Sequence, residues 1–149
     1  MKTLFYNARI VDCDIDTSGA ILIDGDIIES VFTGNYNTEE KAKTLQQKIA
    51  DEIEFYDCKG NTLMPSFVDM HVHFRYPGQT QKEDLESGLN AAVAGGYGTV
   101  VLMPNTNPVV SSSELAHSIE EEASKYEKAT VIQTVSITKD FSGTDLSHL

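Results

Sequence analysis

The stretch SFVDMHVHFRYPGQTQKEDLESGLNAAVAGGYGTVVLM, residues 66–103, decides the fold of this chain. It begins with a strand pattern at 66–73, continues as a helical segment that ends at Gly95, and finishes on the apolar run GTVVLM at 98–103. A near-continuous apolar run is typical of a parallel strand that is covered on both faces. Strand, helix and strand in this order predict a βαβ unit.

Both helices predicted after residue 66 begin at a capping box, in which a Ser or Thr precedes a Glu by three residues. Thr80 and Glu83 form the first box, and Ser111 and Glu114 form the second. The second helix is predicted to run to about Lys128. The strand–helix order therefore occurs twice before a third strand begins.

The third strand is predicted for TVIQTVSI at 130–137, so successive strands begin near residues 66, 98 and 130. A complete (β/α)8 barrel needs about 250 residues. The short repeat leaves two possibilities open, which are a small open parallel sheet and the front portion of a larger barrel.

The segment before residue 66 has the pattern of a small antiparallel β-domain. Asp24-Gly25-Asp26 lies between two apolar runs, where Asp-Gly is a strong hairpin signal. Thr38 is positioned to cap a short helix. Strand character is found at 3–11, 20–23, 27–32 and 53–58. We therefore predict a small β-domain at 1–65, followed by a parallel α/β unit at 66–149.

The composition excludes several classes of partner. The chain has 149 residues and a formal net charge of −12, from 23 acidic and 11 basic residues. Such a chain repels nucleic-acid phosphates and anionic membrane surfaces, although a small anionic substrate can still bind beside local cations. Cys13 and Cys58 match no zinc or redox spacing, and the first residues lack a signal-peptide pattern. We therefore expect free thiols and a cytoplasmic location.

The histidines His71 and His73 stand two residues apart on a predicted strand, so both imidazoles project from the same side. Their Cα atoms are about 6.6 Å apart, which lets both rings reach one metal ion. In an arbitrary strand, such a pair is more often a surface or core feature than a metal site. This pair ends a predicted parallel strand, where α/β enzymes place their active sites, and that position favours metal binding.

Three further polar residues lie near the ends of the same strands. Arg75 follows the histidines on the loop side, and a guanidinium there suits bidentate binding of a carboxylate. Asn105 ends the second strand and could bond a substrate, although its Asn-Pro loop is also typical of a plain turn. Asp69 has the parity of His71, and spacing alone does not distinguish a core acid from one that supports a ligand.

The motifs His-x-His-x-Arg-x-Pro-Gly at 71–78 and Met-Pro-Asn-Thr-Asn-Pro at 103–108 resemble those of dihydroorotases, in the amidohydrolase superfamily. The His-x-His motif is shared across that superfamily, whereas the combination is more specific to dihydroorotases. The strands LFYNARIVD and AILIDGDIIESV are similar to the family's small β-domain, so the resemblance covers most of the chain. It implies a small antiparallel β-domain of the β-sandwich type at 1–65. It also implies an incomplete (β/α) barrel at 66–149, which is the N-terminal part of a metal-dependent (β/α)8 TIM barrel with about three βα units.

The resemblance also implies a role for each candidate residue. His71 and His73 match the first two ligands of a site for one or two zinc ions. His73, Arg75 and Asn105 are implied to contact the substrate, with Arg75 and Asn105 binding its carboxylate. The family interconverts L-dihydroorotate and N-carbamoyl-L-aspartate in de novo pyrimidine biosynthesis. Its general base follows a later strand, so no catalytic residue is assigned within this chain and the base is expected beyond Leu149.

Two departures from the family pattern leave these expectations in place, because neither removes a contacting group. Ser66 stands where the family usually has glycine, and Tyr76 stands where it usually has an acid. A hydantoinase-like or allantoinase-like enzyme and a non-catalytic dihydroorotase-like partner protein are the alternatives. The chain is expected to be a fragment that is inactive alone, from a protein that forms a homo-oligomer.

Overall fold

In the computed structural model, which describes residues 1–47, 49 and 52–147, the chain divides into two units, Met1–Pro65 and Ser66–Leu149. The elements of the first unit are β1 (Lys2–Val11), β2 (Asp16–Asp24), β3 (Ile27–Thr33), α1 (Glu39–Gln46), β4 (Ile53–Asp57) and β5 (Thr62–Leu63). Those of the second are β6 (Phe67–Val72), α2 (Leu85–Ala94), β7 (Tyr97–Leu102), α3 (Ser113–Ser124), β8 (Thr130–Gln133) and a short 3-10 helix (Lys139–Phe141).

The first unit is built on a sheet with strand order β3-β2-β1-β4, in which β5 also pairs with β1. The strands β1, β2 and β3 pair antiparallel, and Gly25 takes a left-handed φ of 60° in the predicted hairpin turn. The sequence predicts an antiparallel sheet. Both β4 and β5 pair with β1 in parallel, however, so the sheet is mixed. The cause is the crossover through α1, which returns the chain to the sheet in the direction of β1. The sandwich form expected for 1–65 stays a prediction.

The helix α1 forms where its cap predicts. Thr38 accepts a hydrogen bond from a backbone N–H of the first turn, and this confirms its role as the N-cap. Ala42 and Leu45 of the helix are buried with Leu4 and Leu22 of the sheet, and this cluster forms the larger part of the unit's core.

The second unit is a parallel sheet with strand order β6-β7-β8, and the connections between its strands run through α2 and α3. The predicted βαβ order and its parallel pairing are therefore confirmed. Alternate residues of β7 and β8, namely Val100, Leu102 and Val131, are buried with Leu89 of α2 and Ile119 of α3. This packing fixes the carboxyl ends of the strands, where the candidate site residues lie.

The helix α2 begins later than its predicted capping box at Thr80. The N-cap is Asp84, whose side chain accepts from the backbone N–H of Ser87, while the Ser87 hydroxyl accepts from the backbone N–H of Asp84. The segment before it is held in turns, since Gly78 has a φ of 87° and the N–H of Gln79 bonds the carbonyl of Arg75. A reciprocal Asp–Ser box therefore replaces the predicted Thr–Glu box.

The helix α3 and the strand β8 also differ from the prediction at their ends. The N-cap is Ser112, one residue later than predicted, because the Ser111 hydroxyl bonds Asp140 instead. The helix ends at Ser124 and the strand at Gln133, each four residues before the predicted end. No helix in the described part of the chain is both long and apolar enough to cross a bilayer.

Candidate active site

The candidate site lies where the parallel strands β6 and β7 end. His71 belongs to β6 and is exposed, and His73 follows the last residue of that strand and is half-buried. The two imidazole centroids are 5.1 Å apart and the rings are inclined at 67°. The structure therefore places the two rings next to each other, as the His-x-His spacing predicts.

Asn105, which follows β7, contacts the second histidine of the pair, His73. Its side-chain Oδ1 lies 2.8 Å from Nδ1 of His73. An amide oxygen can only accept a hydrogen bond, so this contact is a hydrogen bond when the proton of a neutral His73 is on Nδ1. The lone pair of that imidazole is then on Nε2, which is the form of the ring that can bind a metal ion through Nε2.

Two loops that follow neighbouring strands are tied together around this contact. The N–H of Met103 bonds the carbonyl of Val72 at 3.0 Å, and the N–H of Asn107 bonds the carbonyl of Pro77 at 3.2 Å. Gly78 packs so closely on Asn107 that a Cβ at this position would overlap the Asn107 carbonyl oxygen. The loops at 74–78 and 103–108 therefore hold each other in place.

Arg75 lies in the first of these loops and is half-buried. Within the described part of the chain, its guanidinium has no hydrogen bond or ion pair, so its donors are available to a ligand. The other arginine, Arg9, is exposed in the first unit and forms a bidentate ion pair with Asp16 at 2.6 and 2.8 Å. Arg75 thus shares a loop with His73 but has no hydrogen bond to it.

Asp69, whose role the spacing left undecided, supports the main chain of a histidine. Its Oδ1 accepts the backbone N–H of His71 at 3.0 Å. Asp69 and His73 also line a cleft of about 240 Å³ between β6 and α2, together with Glu83. The acid therefore fixes the backbone that carries the first imidazole, and no sequence pattern indicated that bond.

Both cysteines belong to the first unit and are free, with Cys13 exposed and Cys58 buried. Burial raises the pKa of the Cys58 thiol, and the nearby Asp57 carboxylate adds to that effect. Among the described residues, three possible metal ligands come close together in an exposed acidic turn, namely Asp12, Cys13 and Asp14. The histidine pair itself supplies two of the four donors that a tetrahedral zinc site needs.

Comparison with known proteins identifies similar sequences. A family model described as "Dihydro-orotase-like" matches residues 60–148. A dihydroorotase of Clostridium botulinum (strain Eklund 17B / Type B) is 38% identical over 149 residues, which are 100% of this chain and 34% of that protein. A dihydroorotase of Streptococcus pneumoniae serotype 4 is 40% identical over 147 residues, 97% of this chain and 31% of that protein. The chain therefore spans about a third of the length of the curated relatives it matches.

Solved structures share the fold. An L-hydantoinase from Arthrobacter aurescens matches with a TM-score of 0.64 at 21% identity, covering 89% of this chain and 27% of that one. An enamidase described as a member of the amidohydrolase superfamily matches with a TM-score of 0.58 at 22% identity, covering 89% of this chain and 35% of that one. The likeness confirms the predicted fold class, which is the N-terminal part of a (β/α)8 barrel preceded by a small β-domain.

Proposed function

The chain belongs to the dihydro-orotase-like family, and on that basis we propose that the full-length protein is a metal-dependent dihydroorotase. It would interconvert L-dihydroorotate and N-carbamoyl-L-aspartate in pyrimidine biosynthesis. The observation that carries the proposal is the 2.8 Å contact between His73 and Asn105. It joins a pair of histidines with the spacing of metal ligands to a polar side chain that follows the neighbouring strand.

His71 and His73 are the residues that would hold zinc. Their fit rests on two adjacent imidazoles, one of which has Nδ1 occupied by Asn105 and its Nε2 lone pair available. The remaining donors would come from parts of the protein outside these 149 residues. One or two zinc ions, when bound, supply a Lewis acid for the ring carbonyl and lower the pKa of a coordinated water.

Arg75 and Asn105 would bind the carboxylate of the substrate, next to His73. A guanidinium presents parallel N–H groups that match both oxygens of a carboxylate. Because the Oδ1 of Asn105 is bonded to His73, Nδ2 is the atom of this side chain that would donate to the substrate carboxylate. A dihydroorotate ring held by its carboxylate would then lie beside the metal.

The general base would follow a later strand of the barrel, beyond Leu149. For that reason we expect the 149-residue chain on its own to be inactive. The full-length protein is proposed to be a cytoplasmic homo-oligomer whose partner is the small-molecule substrate, with no role for nucleic acid or membrane. The acidic composition, with a net charge of −12, supports the absence of nucleic-acid and membrane partners.

The second candidate is a hydantoinase-like or allantoinase-like enzyme, which the hydantoinase structures favour as relatives in fold. A third candidate, a non-catalytic partner protein, would have no use for the histidine pair that this chain retains. The feature that separates the first two is Arg75, since an uncharged cyclic ureide offers the guanidinium no carboxylate.

The test compares two arginine variants of the metal-loaded full-length protein. Arg75→Met removes the cation from the proposed site and should raise KM for L-dihydroorotate strongly. Arg9→Met removes the other arginine, which is paired with Asp16 in the first unit, and should leave KM unchanged. Unchanged KM in the Arg75→Met variant would contradict the proposed substrate.

A further inference from the structure

We propose that Asn105 is a positioning residue for His73, in addition to any contact it makes with substrate. In this role it holds the imidazole as the Nδ1–H tautomer and so directs the Nε2 lone pair toward the metal. The inference rests on the proposed metal site, but not on the identity of the substrate.

The contact favours one tautomer of the neutral ring. Nδ1 of His73 and Oδ1 of Asn105 are 2.8 Å apart, an ordinary distance for a hydrogen bond from a ring nitrogen. If the proton were on Nε2, two acceptor atoms would face each other at that distance and repel. The bond therefore stabilises one tautomer of the neutral ring and opposes its rotation.

Asn105 can do this only if its own position is fixed before any ligand binds. The residue before it, Pro104, accepts the N–H of Val110 at 3.0 Å, and the hydroxyl of the residue after it, Thr106, donates to the carbonyl of Pro108 at 2.7 Å. Thr106 is 7% exposed. The loop is thus held on both sides of Asn105 by bonds that involve neither metal nor substrate.

The histidines differ in this respect, which gives the inference its specificity. His71 is supported through its main chain by Asp69, and its ring has only the ring contact with His73 within the described part of the chain. His73 is supported through its ring. Removing the Asn105 amide should therefore affect the tautomer of His73 and leave that of His71 unchanged.

Asn105→Asp separates the two tasks of the side chain. A carboxylate keeps the oxygen that accepts from Nδ1 of His73, so the tautomer is preserved. It removes the amide donor and places a negative charge where the substrate carboxylate would bind. Asn105→Ala removes both the acceptor and the donor. Asn107→Ala is the matched control, because the Asn107 side chain has no hydrogen bond among the described residues and alanine keeps its Cβ.

The experiment is performed on the metal-free full-length protein with ¹⁵N-labelled histidine, at a pH where the imidazoles are neutral. Long-range ¹H–¹⁵N spectra distinguish the protonated from the unprotonated ring nitrogen, and the His73 signals are assigned from their loss in His73→Gln. We expect protonated Nδ1 in the unmodified protein, in Asn105→Asp and in Asn107→Ala. In Asn105→Ala we expect protonation to shift toward Nε2.

The second measurement is zinc affinity, determined by competition with a chelator. Loss of a hydrogen-bond partner behind a ligand typically weakens metal affinity about 10–100-fold, so this is the loss expected for Asn105→Ala. The affinities of Asn105→Asp and Asn107→Ala should stay near that of the unmodified protein. A protonated Nε2 in unmodified His73 would overturn the inference without any variant, and so would unchanged tautomer and affinity in Asn105→Ala. Neither measurement uses dihydroorotate, so absent dihydroorotase activity with a protonated Nδ1 would refute the proposed function alone.

Discussion

Gly88→Ala tests whether close packing beneath the site holds His73 in place. Gly88 lies inside α2, and a Cβ built there would be 2.6 Å from Cε1 of Phe74. Phe74 directly follows His73, and it is 4% exposed. The ring belongs to the buried hydrophobic cluster of the second unit, so the added methyl group must displace the ring or the helix.

Two effects of opposite sign act at this position. Alanine is more favourable than glycine inside a helix by about 0.5–1 kcal/mol. Extra atoms in a packed core typically cost about 1–3 kcal/mol. The overpacking is the larger effect here, because the contact is with a buried ring, so we expect a net loss of about 1–2 kcal/mol in the free energy of unfolding. A shifted Phe74 should also weaken zinc binding through its neighbour His73.

The assay is urea unfolding of the full-length protein, combined with a zinc titration. The control is Glu86→Ala, an exposed position in the same helix, which should change the free energy of unfolding by less than about 0.5 kcal/mol. Helix propensity alone predicts a higher unfolding midpoint for Gly88→Ala. That result would refute the overpacking against Phe74.

Two further predictions concern groups with a shifted pKa. The N–H of Ser87 lowers the pKa of Asp84, so the carboxylate stabilises the fold above its ordinary pKa, and this contribution is lost as pH falls through the lowered value. In Asp84→Asn, which keeps an oxygen at the cap, the free energy of unfolding measured at a series of acidic pH values should vary less with pH. An unchanged pH dependence would contradict this. Burial raises the pKa of Cys58, so iodoacetamide near neutral pH should modify Cys13 in the native protein and Cys58 only after unfolding. Mass spectrometry measures the labelling of each thiol. Equal labelling of both thiols in the native state would argue against the burial of Cys58.

The convergence of the site residues was predictable from sequence, because the carboxyl ends of parallel strands meet at one edge of a sheet. That rule brings His71, His73 and Asn105 together before any coordinates are known. The hydrogen bond between His73 and Asn105 was not predictable, since residue spacing does not determine which rotamers two side chains adopt. The bond from Asp69 to the main chain of His71 escaped prediction for the same reason.

The element boundaries were less predictable than the elements themselves. Several residues before α2 can serve as a cap, and Thr80 with Glu83 fits the sequence rule as well as Asp84 with Ser87 does. The helix begins at the later pair because the residues of the earlier pair belong to the turns that follow Gly78. The parallel pairing of β4 with β1 depends on the path of the chain through α1, which local sequence patterns do not encode.

The proposed function is tested by the relative activity of the zinc-loaded full-length protein on L-dihydroorotate and on an uncharged hydantoin. If Arg75 and a zinc ion held by His71 and His73 form the site, as we propose, the protein should turn over L-dihydroorotate with a higher kcat/KM than hydantoin. The kcat should lie within the ordinary enzymatic range, on the order of 10 per second. A higher kcat/KM for hydantoin, or no turnover of either compound by a protein that contains stoichiometric zinc, would show that the protein is not a dihydroorotase.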